Sequence, residues 1–211
     1  EVTICCAEGE TGIVYDGKLD FKVEKLMIDT NKKLPVKLML NVGSPELAFS
    51  ASMIPNMGIG LARLEFIINN YIKIHPLALL DYPLLEPKLK EKIQNIMGHE
   101  TDGRAFFIEK LAKGMAKIAS AFYPNDVIVR LSDFKSNEYK NLIGGELYEP
   151  EEENPMIGWR GASRYYSYDY KDAFALECLA LKYAREHMGF DNIIVMIPFC
   201  RTPKEKKKVL N

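Results

Sequence analysis

The 211-residue chain is 47% hydrophobic and 27% charged, enough apolar content to bury a core, which excludes a disordered or fibrous protein. Its 28 lysines and arginines nearly balance 29 aspartates and glutamates, leaving a formal charge of -1, so no global field recruits nucleic acid or anionic lipid. No apolar run reaches the ~18 residues of a membrane-spanning helix and no basic-then-apolar leader opens the sequence, so a soluble cytoplasmic protein is expected, with no membrane and no nucleic acid among its partners.

In chain order, "VTICCAEGETGIVYDGKLDFKVE" (Val2 to Glu24) alternates short β-prone runs with Gly-Glu-Thr-Gly and Asp-Gly-Lys, which predicts a small antiparallel meander. Cys5 and Cys6 are adjacent in it and point to opposite faces of a strand, making neither an easy disulfide nor a chelate. With Cys178 and Cys200 they form no C-x-x-C pair, which fits reduced thiols in a cytosol. His75, His99 and His187 are scattered without metal-ligand spacing.

From Val36 the rhythm changes. "VKLMLNVG", "GIGLARLEF", "DVIVRLSDF" and "NIIVMIPF" are apolar at nearly every position, as strands of a parallel sheet buried on both faces must be. Between them "SPELAFSASM" opens with Ser44-Pro45, a cap followed by a first-turn proline. "EPKLKEKIQNIM" and "RAFFIEKLAKGMAKIASAFY" follow, the second carrying Phe107, Leu111, Met115, Ile118 and Phe122 at three- and four-residue steps. "KDAFALECLALKYAREHM" precedes the fourth run. Strand then helix, repeated, predicts right-handed βαβ units.

One connection departs from this rhythm. Asp133 to Ser167 shows little periodicity over some thirty residues, a length at which loops inside a compact domain are functional or disordered. It follows the carboxyl end of a strand, where β/α barrels place their chemistry. Within it, Gly144-Gly145 reads as a turn, "EPEEEN" as a solvated charge run, and Tyr165, Tyr166, Tyr168 and Tyr170 as a stripe without the basic field of a nucleic-acid site.

Three arginines stand out. Arg130 shares a strand face with Ile128 and Ser132, and a guanidinium held there needs anions: a substrate phosphate or carboxylate, or a structural pair with Asp133 or Glu138. Arg63 has Glu65 two residues on, projecting from the same face of a strand, so spacing alone favours a local pair. Arg160, beside Trp159 in the long connection, is a weaker anion-site candidate because loop arginines are mostly solvated.

"NVGSPELAF", "GIGLARLEFIIN", "IHPLALL", "AFYPNDVIVRLSDFKSNEY", "LIGGELYEPEEENPMIGWRGASRY", "AFALECLALK" and "MIPFCRTP" together resemble the phosphoenolpyruvate synthases (pyruvate, water dikinases) of the PEP-utilising family. The match runs from about Val36 to Thr202, and "VTICCAEGETGIVYDG" resembles the tail of that family's phosphohistidine domain. The resemblance implies an α/β fold: the first half of a TIM-type (β/α)8 barrel over 26–211, preceded over 1–25 by a short β segment of the swivelling phosphohistidine domain. It also implies a phosphotransferase that makes phosphoenolpyruvate (PEP), AMP and phosphate from pyruvate, ATP and water. There a phosphohistidine hands its phosphoryl group to pyruvate enolate beside Mg2+. By motif Arg63 and Arg130 match arginines that hold the substrate's phosphoryl and carboxylate region, and Arg160 matches a third in the related sugar-transport phosphotransferase.

Departures from the family pattern carry their own expectations. The histidine motif "GG-T-CHAAI" would precede Glu1, while the magnesium glutamate of "CEIP", the Asn-Asp pair of "GSND" and the cysteine of "GICGQ" would follow Asn211. No catalytic residue and no metal ligand is therefore assigned here, and Met57 replaces an acid of the pattern. The sequence opens at Glu1 without methionine and ends at "KKKVLN" inside a helical pattern, as a segment cut at both ends would. Four strands cannot close an eight-stranded barrel, so a homo-oligomer or the remaining domains of the same enzyme are the expected partners, with no turnover by the piece alone. Pyruvate, phosphate dikinase, the sugar-transport relative and an inactive assembly module are the competing readings.

Overall fold

The computed structural model describes residues 1–7, 11–25, 29 and 34–210, and the chain divides into two compact units, Glu1–Leu34 and Pro35–Asn211. In the first, β1 (Val2–Cys5) and β2 (Ile13–Asp16) pair antiparallel, with Val2 opposite Asp16 and Cys5 opposite Ile13. Thr3 Oγ1 donates to the Gly17 carbonyl (2.8 Å) and accepts from Leu19 N–H (3.0 Å), tying the following segment to the hairpin. The predicted meander is thus a two-stranded hairpin among the described residues; Gly17 to Lys25 adds no third strand, and residues 8–10 of its first turn lie outside them.

The second unit is α/β, as expected. Its strands are β3 (Leu40–Val42), β4 (Ile59–Arg63), β5 (Val127–Arg130) and β6 (Ile193–Met196), all parallel and in that spatial order. The uninterrupted apolar runs have a direct cause: Ile59, Ala62, Val127, Val129 and Ile193 are fully buried, while Ile128 and Arg130 on the alternate face of β5 are half-buried. Among the described residues no further strand pairs with either edge of the sheet, and β6 leaves Ile194, Val195 and Met196 exposed. Four parallel strands with this helical layer are a partial barrel rather than a closed one.

Helices cover the sheet. α1 (Ala48–Ser52) starts three residues later than the Ser44-Pro45 signal suggests, because the Ser44 hydroxyl donates to Glu46 (2.9 Å) instead of capping. β4 runs without a loop into α2 (Leu64–Ile67), which continues as wider helical turns to Ile72. α3 (Pro76–Leu80) takes His75 as its cap and α4 (Pro87–Met97) begins on its proline. α5 (Gly103–Phe122) is capped by Asp102, whose Oδ1 accepts from Arg104 N–H (2.8 Å). Its predicted stripe of Phe107, Leu111, Met115, Ile118 and Phe122 is buried throughout and anchors the core.

After β5 come α6 (Ser136–Lys140), α7 (Ala162–Tyr165), α8 (Lys171–Lys182, extended to His187) and, beyond β6, α9 (Pro203–Leu210). The long connection between β5 and α8 is ordered by side-chain pairs and short helices. Gly144, at φ 82°, makes the turn read for Gly144-Gly145. Gly161, at φ 58°, lets the strap lie against the chain beyond β6, where an added Cβ would sit 2.6 Å from the Pro198 carbonyl. Among the described residues no helix is long and apolar enough to cross a membrane.

Candidate functional site

Parallel pairing places Arg63 and Arg130 directly opposite each other at the carboxyl ends of β4 and β5. Two permanent cations in register repel, so the fold must supply an acid between them. That acid is Glu65, buried in the first turn of α2: Arg130 Nη2 donates to its Oε1 (2.6 Å), which also accepts from the Asp133 backbone N–H (3.0 Å). Arg63 gets the weaker share, with Nε 3.8 Å from Glu65 Oε2 and its guanidinium over the Phe66 ring at 4.9 Å. The local pair read from spacing is thus present, but loose and not on a shared strand face. β4 stops at Arg63, and helical geometry carries Glu65 toward Arg130.

Asp133 continues the alternation. Its carboxylate lies 3.6 Å from Arg130 Nη1 and takes Arg160 from both Nε and Nη2 at 3.0 Å. Arg160 also donates to the carbonyls of Asp133 (3.0 Å) and Met156 (3.1 Å) and lies over the Phe199 ring at 4.3 Å. It is therefore a fixed, largely buried group, contrary to the solvated loop arginine expected. Arg130 pairs with Asp133, as one reading of its spacing held, but with Glu65 more closely. Glu138 instead faces Lys135 at 3.4 Å.

The chain Arg63–Glu65–Arg130–Asp133–Arg160 curves around a cavity of about 250 Å³ lined by Arg63, Glu65, Asn69, Asp133, Lys135 and Arg160 among others. Arg130 is not in the lining; it braces the two carboxylates that are. Exposure ranks the cations: the Arg63 side chain is 45% exposed, Arg130 17% and Arg160 12%. Arg63 is the most open and least paired of the three, with the geometry of a group that can meet an incoming anion in bidentate fashion. Two buried polar atoms, Glu65 Oε2 and Arg130 Nε, lack hydrogen-bond partners beside it.

Two buried layers support this rim. In the strap, Glu149 accepts from Arg164 Nη1 (2.6 Å) and Nη2 (2.7 Å) and meets His75 Nε2 at 3.0 Å. His75 Nδ1 accepts from Leu77 N–H (3.2 Å), which fixes the tautomer with the proton on Nε2, donating to Glu149. Burial holds the His75 pKa below its ordinary value. Burial opposes ionisation of Glu149, but the bonds from His75 and Arg164 prevail and keep its pKa below the usual carboxylate range. The Arg164 guanidinium also lies against the rings of Trp159, Tyr139 and Tyr170 at 3.9, 4.5 and 4.9 Å. The "EPEEEN" run is thus no solvated face at its start, since Glu149 is buried, and Glu152 accepts from Ser136 and from Trp159 N–H (2.8 Å). In the second layer Glu177 of α8, fully buried, holds Ser132.

Sequence reading missed Glu149, Arg164, His75 and Glu177. Only Glu177 left a signal: it falls among Ala173, Leu176, Ala180 and Leu181 on the buried stripe of α8, where an acid is out of place. Among the described residues no group of three or more histidine, cysteine, aspartate or glutamate side chains is placed to hold a metal ion. Asp133 and one oxygen of Glu65 are already turned to arginines.

The family described as PEP-utilising enzyme, PEP-binding domain, matches residues 18–211. The phosphoenolpyruvate synthase of Deinococcus radiodurans is 57% identical over 210 residues, covering 100% of this chain and 27% of that protein. The phosphoenolpyruvate synthase of Escherichia coli (strain K12) is 53% identical over 209 residues, covering 99% of this chain and 26% of that protein. That of Aquifex aeolicus is 49% identical over 256 residues, covering 100% and 30%. The chain spans 26% to 30% of the length of these relatives.

Proposed function

The chain belongs to the PEP-utilising enzymes, through their PEP-binding domain, and from that premise we propose that it carries the pyruvate and PEP site of a phosphoenolpyruvate synthase. The observation that carries the reading is the alternating chain Arg63–Glu65–Arg130–Asp133–Arg160 around one cavity at the carboxyl ends of two parallel strands. Three guanidiniums against two carboxylates leave one positive charge in excess. Arg63, held by the looser contact, receives the anionic group. Glu65 and Asp133 fix Arg130 and Arg160 before substrate arrives, so little ordering remains to be done on binding.

In this reading the whole enzyme makes PEP, AMP and phosphate from pyruvate, ATP and water, residues 1–25 belong to the phosphohistidine domain, and the remaining domains of the same enzyme are the partners. Magnesium would neutralise charge on the transferring phosphoryl group. Among the described residues no three histidine, cysteine, aspartate or glutamate side chains form a site for it, and in this reading its ligands lie in other parts of the enzyme.

The test uses the enzyme carrying this chain. Arg63→Met should raise the pyruvate concentration that half-saturates AMP formation roughly tenfold or more, the loss of one charge-assisted contact. ATP-dependent phosphorylation of the protein without pyruvate should be unchanged. Unaltered pyruvate saturation would contradict the assignment and is the result an assembly module would give.

A further inference from the structure

Ser132 lies between Arg130 and Asp133, and all its polar groups are taken. Its N–H donates to Glu177 Oε2 (3.1 Å), its hydroxyl donates to Glu177 Oε1, and its carbonyl accepts from the Tyr165 hydroxyl (2.5 Å). Because the hydroxyl proton goes to Glu177, Ser132 Oγ accepts from Tyr139 (2.8 Å), whose own oxygen accepts from Tyr170 (2.6 Å). Three hydroxyls thus point their protons one way, toward a single carboxylate buried to 0% exposure.

Resting on the reading above, we propose that Glu177 is a positioning residue for the substrate site: through Ser132 it fixes the turn that sets Arg130 and Asp133 around the cavity. A neutral amide could make the backbone bond equally well, but it would have to donate to Ser132 Oγ and reverse the hydroxyl chain. The ionised carboxylate is what holds the chain in its observed direction.

Protonation of Glu177 imitates that reversal. Burial pushes its pKa up to about 7, bonds from Ser132 oppose the rise, the nearby Glu65 adds to it and Arg164 opposes it. Tyr139, Tyr165 and Tyr170 face the same region and stay protonated, their pKa values raised by burial. The charged residues of α5, which packs on α8, lie on its exposed side. The substrate-competent turn is therefore the form above the Glu177 pKa.

The experiment measures pyruvate half-saturation in the enzyme carrying this chain between about pH 6 and pH 8, a range in which pyruvate keeps its charge. Glu177→Gln should raise it roughly tenfold at pH 8, as for the loss of one hydrogen bond to a charged group, with the two proteins converging near pH 6. A wild-type-to-variant ratio that is constant across the range, or equal to one, overturns the proposal, since a merely structural loss does not follow pH. Should Glu177→Gln fail to fold, Ser132→Ala keeps the carboxylate and backbone and should flatten the wild-type profile in the same way; a profile that stays inflected overturns it. Arg63→Met separates the two claims. If it leaves pyruvate saturation unchanged, the site reading has failed; if it raises it while Glu177→Gln does not, only the inference about Glu177 has.

Discussion

Replacing Arg164 by methionine tests whether the strap that carries Arg160 is held by its buried ion pair. Glu149 has its side chain wholly buried and receives two bonds from Arg164, at 2.6 and 2.7 Å, against one from neutral His75. Methionine fills much of the volume among Trp159, Tyr139 and Tyr170 but leaves a carboxylate in the interior with a single donor. Breaking a buried pair by removing one partner costs about 3–5 kcal/mol. At 1.36 kcal/mol per decade that is roughly two to four orders of magnitude in the local opening equilibrium. Hydrogen exchange followed by mass spectrometry reads this directly at the amides of Ala162, Arg164 and Tyr165, which are bonded to Pro198 and Gly161 in the wild type. Their protection should collapse toward that of exposed loops, while α5 keeps its own. The double variant Glu149→Leu/Arg164→Met should recover at least half of the logarithmic loss, because no orphan charge remains. A loss below about tenfold in the single variant, about 1.4 kcal/mol, would refute the reasoning.

Other outcomes follow from the same geometry. Asp133→Asn should free Arg160, lowering pyruvate affinity roughly tenfold and raising exchange near Met156; unchanged kinetics would show that Arg160 does not depend on Asp133. Gly161→Ala forces a side chain into a left-handed backbone 2.6 Å from the Pro198 carbonyl, and urea denaturation should report a loss of more than about 1 kcal/mol. Glu177 binds its proton more tightly folded than unfolded, so its contribution to stability falls as pH rises from 4.5 to about 7. Glu177→Gln should therefore gain about 3 kcal/mol relative to wild type between pH 4.5 and pH 8, and a gap independent of pH would contradict this.

Much of this fold is written locally. Strands buried on both faces leave runs such as "DVIVRLSDF", and a helix packed along one stripe leaves Phe107, Leu111, Met115, Ile118 and Phe122 at helical steps. The three arginines singled out by their setting, Arg63, Arg130 and Arg160, do come together, in one alternating chain with Glu65 and Asp133. What spacing could not give was partnership. Glu65 was read on the strand face of Arg63, but the strand ends there and the helix turns the acid toward Arg130, 65 residues away. The long connection is ordered by pairs equally remote, His75 with Glu149 across 74 residues and Ser132 with Glu177 across 45, which no window on the sequence contains. The "EPEEEN" run is solvated at Glu151, Glu153 and Asn154, as read, but its first glutamate finds an arginine 15 residues on and inside the core.

The most direct test of the central claim is a structure of the enzyme carrying this chain with PEP bound. Carboxylate or phosphate oxygens should lie within hydrogen-bond reach of the Arg63 guanidinium, in the cavity walled by Asp133 and Arg160, with the Glu65–Arg130 bond retained. PEP seated elsewhere, or in that cavity without touching Arg63, would contradict it.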